Sequence, residues 1–292
     1  MNYDCKTVLQ INLTNRTSQV KIYKDLNCYI GGVGLALAII AEIKDSNPLV
    51  FCTGPLGGFF PYASKIIGMC IYNNTLCEAV GGGRMSLMMN LAGLDAIVIT
   101  GQSQSKVAIS IKDQQANFFE ASKISQRDAF KNEGLPSKRS LIEFTKNCLV
   151  DSYFSFGSNE LATAGALKNL KALLVTGTQS FTVASLDYYR RIYFDILSRP
   201  SDLAVPFMGY RSCAGCPAGC KYSKNGEGDV NIAVLPRCLV ACQFAQNIYN
   251  DIPRVFSCLA SIGYHYNHED LEGISERVGK LHELLNRQLE SQ

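Results

Sequence analysis

The chain has little histidine and no long hydrophobic run, and both shortages narrow its chemistry. Its three histidines, His265, His268 and His282, all lie in the C-terminal stretch. Their spacing suggests no Ser-His-acid or Cys-His arrangement, and no acid pair stands above background, so catalytic residues are unassigned. The longest apolar run, Gly31 to Ile43, is interrupted by Gly34 and is too short to span a bilayer. Met1-Asn2-Tyr3-Asp4 opens the sequence without an apolar signal segment. The Asn-x-Thr triplets at Asn12, Asn15 and Asn73 then read as chance matches. A dominant sign of charge is also missing. Lys and Arg total 28 against 25 Asp and Glu, for a net charge of +3, with no basic stripe. That balance argues against a nucleic-acid partner. At 292 residues, with 47% hydrophobic and 18% charged residues, the chain can bury one large or two smaller domains.

Cysteine, by contrast, is plentiful, with 12 in the chain. So many thiols without a signal segment favour a reducing compartment, and the expected location is the cytoplasm. The densest stretch is Cys213-Ala214-Gly215-Cys216-Pro217-Ala218-Gly219-Cys220. Three thiols at C-x2-C-x3-C spacing, separated by Ala, Gly and Pro, form a tight loop that can turn three sulfurs toward one point. A fourth ligand has two candidates, Cys238 and Cys242, read as one helical turn apart. A sulfur-only set suits a four-iron–four-sulfur cluster or a structural zinc, with unliganded or disulfide-paired thiols as the bland alternative. Cys5, Cys28, Cys52, Cys70, Cys77, Cys148 and Cys258 sit in apolar or strand contexts and read as small core residues.

Period-two alternation from Thr7 to Leu13 and a return at Val20 to Tyr23 predict an opening hairpin. Gly31-Gly32-Val33-Gly34 leads into a helix over Leu35 to Ile43; the G-G-x-G pattern fits close packing better than nucleotide binding. Three apolar strands then end in Thr-Gly, at Leu49–Gly54, Ala96–Gly101 and Ala172–Gly177, the last two with similar lead-ins. They suggest an internally duplicated β-rich unit with short helices feeding its strands. Gly81-Gly82-Gly83-Arg84 precedes a helix at Met85 to Leu91. The segment is either a phosphate cradle or a glycine turn with a solvated arginine. Further strands are expected at Val107–Ile111, Leu141–Phe144 and Leu149–Phe156. A polar surface excursion is expected over Asp113–Asn147, with a helix near Ser125–Lys131 and a loop at Gly134–Ser137. Helices are expected at Ser185–Leu197 and through the tail.

The order of these motifs resembles the aldehyde:ferredoxin oxidoreductase family, the tungsten-pterin enzymes. Ile11-Asn12-Leu13-Thr14 and Tyr29-Ile30-Gly31-Gly32-Val33-Gly34-Leu35-Ala36 are similar to its first strand and Gly-rich helix start. Thr53-Gly54-Pro55-Leu56-Gly57-Gly58 is similar to its Gly-Pro-Leu-Thr-Gly turn. Ala92 to Gly101 and Leu167 to Ala172 resemble its strand lead-ins. The resemblance implies that Cys213, Cys216 and Cys220 bind a four-iron–four-sulfur cluster. Ala241-Cys242-Gln243-Phe244 matches the family's Leu-Cys-x-Phe context better than the surroundings of Cys238, so Cys242 is the implied fourth ligand. The implied fold is α+β: a β-rich, pseudo-duplicated domain over residues 1–200, then a short helical, cysteine-bearing remnant over 201–292.

Where the family contacts its pterin, this sequence departs. Val80-Gly81-Gly82-Gly83 stands for Asn-Ser-Gly-Gly, Lys65 for an arginine, Ser158-Asn159-Glu160 for Arg-Gly-Gly, and Arg237 for an aspartate. Lys65, Gly81, Gly82, Gly83 and Arg84 are the positions that would meet a pterin. The losses imply weak tungsten- or molybdenum-pterin binding or none. The expectation is an iron–sulfur electron-transfer protein or redox subunit, partnered by a ferredoxin-like carrier, a larger redox subunit or a second copy. One alternative is a working pterin oxidoreductase that passes electrons from aldehydes to an iron–sulfur protein. Another is a zinc-stapled scaffold.

Overall fold

In a computed structural model, which describes residues 3–43, 45, 47–121, 138–226 and 233–291, the described strands form two six-stranded sheets. The first half of the chain runs β1 (Lys6–Asn12), β2 (Thr17–Tyr23), α1 (Gly32–Glu42), β3 (Leu49–Cys52), β4 (Ile66–Tyr72), β5 (Thr75–Gly81), α2 (Met85–Leu91) and β6 (Ala96–Thr100). Across the sheet their order is β2-β1-β6-β3-β4-β5, with β1 parallel to β6 and every other neighbouring pair antiparallel. The second sheet uses β7 (Val107–Lys112), β8 (Gln115–Glu120), β9 (Arg139–Phe144), β10 (Cys148–Val150), β11 (Phe154–Ser155) and β12 (Leu170–Thr176), with α3 (Asn159–Leu167) before β12. Its order is β8-β7-β12-β9-β10-β11, with β7 parallel to β12 and the rest antiparallel. Adding six to each strand number converts one sheet into the other.

The duplication extends to local detail. Gly93 after α2 and Asn169 after α3 both take left-handed backbone (φ 69° and 56°), the conformation that ends a helix and turns the chain into the next strand. Leu13 N–H donates to Thr100 O at 3.0 Å, and its counterpart Asp113 N–H donates to Thr176 O at 2.9 Å. Asn73-Asn74 turns β4 into β5 and Asp151-Ser152 turns β10 into β11, all four at positive φ. The first Thr-Gly strand is not a further copy, because β3 runs antiparallel to β6 and its counterpart is β9.

Alternation along the strands assembles the layers. Leu9, Leu49, Phe51 and Ile97 face the second sheet, where Phe51 meets Phe144 and Phe156 at ring-centroid distances of 6.1 and 5.8 Å. Val8, Val50, Cys52 and Val98 face the opposite way into a core shared with helices. Those helices are α1, α4 (Leu186–Leu197), α5 (Tyr222–Asn225), α6 (Val234–Cys238), α7 (Gln246–Tyr249), α8 (Ile252–Ser261), α9 (His268–Glu272) and α10 (Ile274–Glu290). They bring Ile196, Leu235, Tyr249, Val255 and Val278 onto the first sheet. The inner strands β1, β3 and β6 are therefore buried on both faces, while the outer face of the second sheet gathers only a small cluster around Ala108, Ala172 and Leu174. No helix among the described residues is long and apolar enough to cross a membrane.

Several expected elements shift. Leu149–Phe156 is not one strand, because the left-handed Asp151 and Ser152 split it into β10 and β11. The expected surface excursion contains β8, which pairs along β7 as the sheet edge. The tail helix breaks at Gly273, and Asn267 and Asp270 form a capping box at the start of α9. The helix expected at Ser125–Lys131 and the loop at Gly134–Ser137 lie outside the described residues, as does most of the turn after Asn225.

Candidate metal centre

Three stretches converge beside the first sheet: residues 53–65 between β3 and β4, the cysteine loop, and the segment from α6 to Cys242. Their mutual contacts are largely backbone. Tyr62 N–H donates to Gly215 O at 3.3 Å, while Tyr62 O accepts from Cys242 N–H at 2.8 Å. Lys65 N–H donates to Val240 O at 2.9 Å, and Ala63 bridges to Ala241. Ala214 N–H donates to Gly83 O at 3.0 Å, which ties the loop to the end of β5. Inside the loop Cys216 N–H donates back to Cys213 O at 3.1 Å, closing a turn that sets two thiols on one side. Hydrogen bonds between main chains fix a geometry that side-chain substitutions elsewhere leave intact.

Cys213, Cys216, Cys220 and Cys242 line one pocket together with Tyr62, Ser64, Lys65 and Ser223. Among the described residues, no histidine and no carboxylate lies in that lining. Cys213 and Cys220 are buried and Cys216 and Cys242 half-buried. Burial pushes the Cys216 thiol up to about 11, although Lys65 pulls in the other direction. Tyr62 Oη and Ser223 Oγ are buried in the same pocket without a hydrogen-bond partner among the described residues. Four thiols, two unanswered hydroxyls and a buried ammonium suit an electron-rich, sulfur-ligated group, which would deprotonate the thiols on binding. Among the described residues, no three His, Cys, Asp or Glu side chains converge closely enough to hold a single metal ion.

Cys238 goes elsewhere. Helix α6 stops at Cys238 and the chain turns through Val240 at φ 55°, so the two candidate fourth ligands do not share a helical face. Cys238 is fully buried beneath α1, where its thiol bonds to the backbone at Gly34 and burial raises it to about 12. Arg237 beside it forks onto Glu78 of β5, with Nε 3.0 Å from Oε1 and Nη2 on Oε2, which pins α6 to the sheet.

The glycine segment packs against the chain itself. A Cβ on Gly82 would lie 2.6 Å from Cys213 Sγ, one on Gly81 3.0 Å from the Phe156 ring, and one on Gly83 2.7 Å from Val150. Arg84 is partnered by Asp151, its N–H and Nε lying 3.3 and 3.4 Å from Oδ2. The other oxygen of Asp151 accepts from Ser140 Oγ and Leu141 N–H at 2.8 and 3.1 Å. Ser158 caps α3 and donates to Glu160, which keeps that carboxyl below its ordinary value and leaves an anion at the helix start. Asp151 thus occupies Arg84, Glu160 stands as an anion at the start of α3, and close packing accounts for the glycines. These residues do not fit a phosphate-bearing pterin. Lys65 joins the cysteine pocket instead of Arg84. His268 stacks on Phe256 and His282 contacts Asn286, both outside the pocket lining.

Sequence reasoning missed Tyr62 and Ser223. A lone hydroxyl has no spacing to announce it, and the available hint was position: Ser223 sits one helical turn after Cys220.

Comparison with known proteins agrees with this architecture. The family model described as aldehyde ferredoxin oxidoreductase, N-terminal domain, matches residues 8–139. A tungsten-containing aldehyde ferredoxin oxidoreductase of Pyrococcus furiosus is 24% identical, over 60% of this chain and 34% of that protein. The aliphatic sulfonate oxidoreductase WOR-like subunit of the same organism is 26% identical, over 40% of this chain and 21% of that protein. Among solved structures, the active site complex BamBC of benzoyl coenzyme A reductase superposes with a TM-score of 0.65 at 17% identity, covering 98% of this chain and 62% of that one. The chain spans about a third of the length of the tungsten-containing relatives it matches. Residues 8–139 thus carry an aldehyde ferredoxin oxidoreductase N-terminal domain, and the chain is similar to tungsten-containing members of that family over about 60% of its length.

Proposed function

We propose that Cys213, Cys216, Cys220 and Cys242 hold a four-iron–four-sulfur cluster and that the chain serves electron transfer within a redox assembly. The observation that carries this reading is the convergence of four thiols from two separate segments on one pocket, while Cys238 is turned away. An all-sulfur set of four suits such a cluster, with zinc as the competing occupant that metal analysis separates. When bound, the cluster would supply one-electron transfer. The protein's own work is to exclude water with the buried lining, to fix four sulfurs by backbone hydrogen bonds and to hold Lys65 against the negative charge.

Among the described residues this reading finds no oxo-transfer site, because Gly81, Gly82 and Gly83 are packed and Arg84 is held by Asp151. Aldehyde oxidation would therefore require groups from another chain. The named relatives support a partnered role, one being a subunit and the solved neighbour a complex of two components. A ferredoxin-like carrier or a larger redox subunit is the expected partner, and a reducing cytoplasm suits the thiols.

Metal analysis and low-temperature EPR of anaerobically purified protein test the reading. Iron with matching sulfide and a signal on dithionite reduction is the expected result, with Cys242→Ala losing or converting the cluster and Cys238→Ala retaining it. Zinc without iron, or equal iron in both variants, would overturn the assignment. Viologen reduction by short or aromatic aldehydes, with tungstate supplied during expression, should be absent for the purified chain.

A further inference from the structure

We infer that the hydroxyls of Tyr62 and Ser223 donate hydrogen bonds to the sulfurs held in the cysteine pocket and set the reduction potential of the group bound there. The inference rests on the proposed cluster and extends it to residues outside the ligand set.

Both side chains are buried, Tyr62 at 2% and Ser223 at 3% exposure, and both line the pocket with the four thiols. Neither hydroxyl has a hydrogen-bond partner among the described residues. Native interiors rarely leave such groups unpaired, since a buried hydroxyl without a partner forfeits its hydration for nothing. Two unanswered donors in one pocket point to an acceptor that the pocket is built to receive. Among the described residues the lining contains no carboxylate to serve as that acceptor; its ionic member is the Lys65 ammonium, buried at 4% exposure. A sulfur-rich anion is the complementary chemistry.

The backbone supports the same assignment. Tyr62 takes φ 62°, a left-handed conformation that bulky residues avoid. It is held there by its N–H on Gly215 O and by Cys242 N–H on its carbonyl. The phenol is therefore anchored at the point where both cysteine segments meet. Ser223 N–H donates to Cys220 O at 3.2 Å, so its hydroxyl is fixed one turn from a proposed ligand. Hydrogen bonds to cluster sulfurs stabilise the reduced state, which carries the extra negative charge, so losing them should lower the potential.

The test is an EPR-monitored redox titration of the anaerobically purified full chain, comparing wild type with Tyr62→Phe and Ser223→Ala. Tyr62→Phe removes one oxygen atom and keeps the ring in place. Unchanged iron and sulfide content is expected in both variants. For Tyr62→Phe the ratio of reduced to oxidised cluster at a fixed potential should fall about tenfold, which for a one-electron couple is a shift of about −59 mV. Ser223→Ala should shift it less in the same direction. Full iron with an unmoved potential in both variants would overturn the inference and leave the cluster standing. Iron lost from both variants would make the hydroxyls structural and also overturn it. Wild-type protein without iron would remove the proposed function and the inference with it.

Discussion

The two sheets share a strand order and differ in what their connections carry. In the first, residues 53–65 join β3 to β4 and supply Tyr62, Ser64 and Lys65 to the cysteine pocket. In the second, residues 145–147 join β9 to β10 in a tight turn closed by Thr145 and Asn147. The far-edge strands follow suit, since β4 and β5 pair over seven residues and β10 with β11 over two. One topology thus serves as the wall of a site and, repeated, as the buttress behind it. Phe154 of β11 and Cys213 lie against the same face of Gly82, which brings the second sheet up to the proposed ligands. Function in this fold follows connection length on one copy, while the repeated strands provide the rigid frame.

The largest effect should come from exchanging cysteines between the two regions. Cys220→Ala is expected to remove most bound iron and, because ligation organises the loop, to lower the melting temperature of the holoprotein. Cys148→Ala, a fully buried thiol of β10, should leave iron content intact and cost roughly 1 kcal/mol through lost packing. Iron analysis and thermal melts on both variants check this; iron loss from Cys148→Ala would erase the functional difference between the sheets.

Next in size is the interface between the copies. Phe51 is fully buried against Phe144 and Phe156, and Phe51→Ala should cost about 3–5 kcal/mol by urea denaturation. Leu141→Ala, on the thin outer cluster of the second sheet, should cost roughly 1 kcal/mol. Equal costs would mean that the second sheet is covered on its outer face as thoroughly as the first.

How much of this was legible in the sequence depends on which signal each element left. The hairpin at β1–β2 alternates cleanly, and α4 begins at a serine cap, so both were readable from pattern. The Ile66–Tyr72 strand is buried on both faces for most of its length, so its apolar run has no period of two, and the β4–β5 hairpin went unread. Its Asn73-Asn74 turn was the usable clue. The duplication showed through the Asn90–Gly93 and Gly165–Leu170 lead-ins, yet a Thr-Gly ending alone misled, because β3 shares it without sharing the topology. At the site, spacing within the cysteine loop was informative, while the choice between Cys238 and Cys242 was not a matter of helical period. It depends on where α6 stops, a tertiary fact set by the Arg237–Glu78 fork and the α1 contact.

A smaller perturbation probes where the loop meets the sheet. Gly82→Ala would place a Cβ 2.6 Å from Cys213 Sγ and 3.1 Å from the Phe154 ring. The cost should be about 1–3 kcal/mol, with iron content falling more steeply than stability because a proposed ligand is displaced. A variant with full iron and reduced stability would place the strain in the sheet and spare the loop.

The smallest effect should carry the opposite sign, and it separates packing glycines from idle ones. Gly34 in α1 and Gly279 in α10 both interrupt helices of the layer that covers the first sheet. A Cβ at Gly34 would meet Tyr29 O at 2.6 Å, with Cys238 Sγ and Val278 both at 3.2 Å, so the glycine lets α1 approach α6 and α10 closely. Gly279 has nothing within 4 Å of the same position. Its backbone is ordinary helix, so alanine there removes unfolded-state freedom without meeting a neighbour. Gly279→Ala should therefore stabilise by about 0.5–1 kcal/mol and raise the melting temperature by roughly 1–3 °C, with iron content unchanged. Gly34→Ala should lower it, since the extra methyl must push against a carbonyl oxygen and the Cys238 thiol. If both alanines stabilised, α1 would have room to move away from Cys238, and the close packing that turns this thiol from the pocket would lose its support.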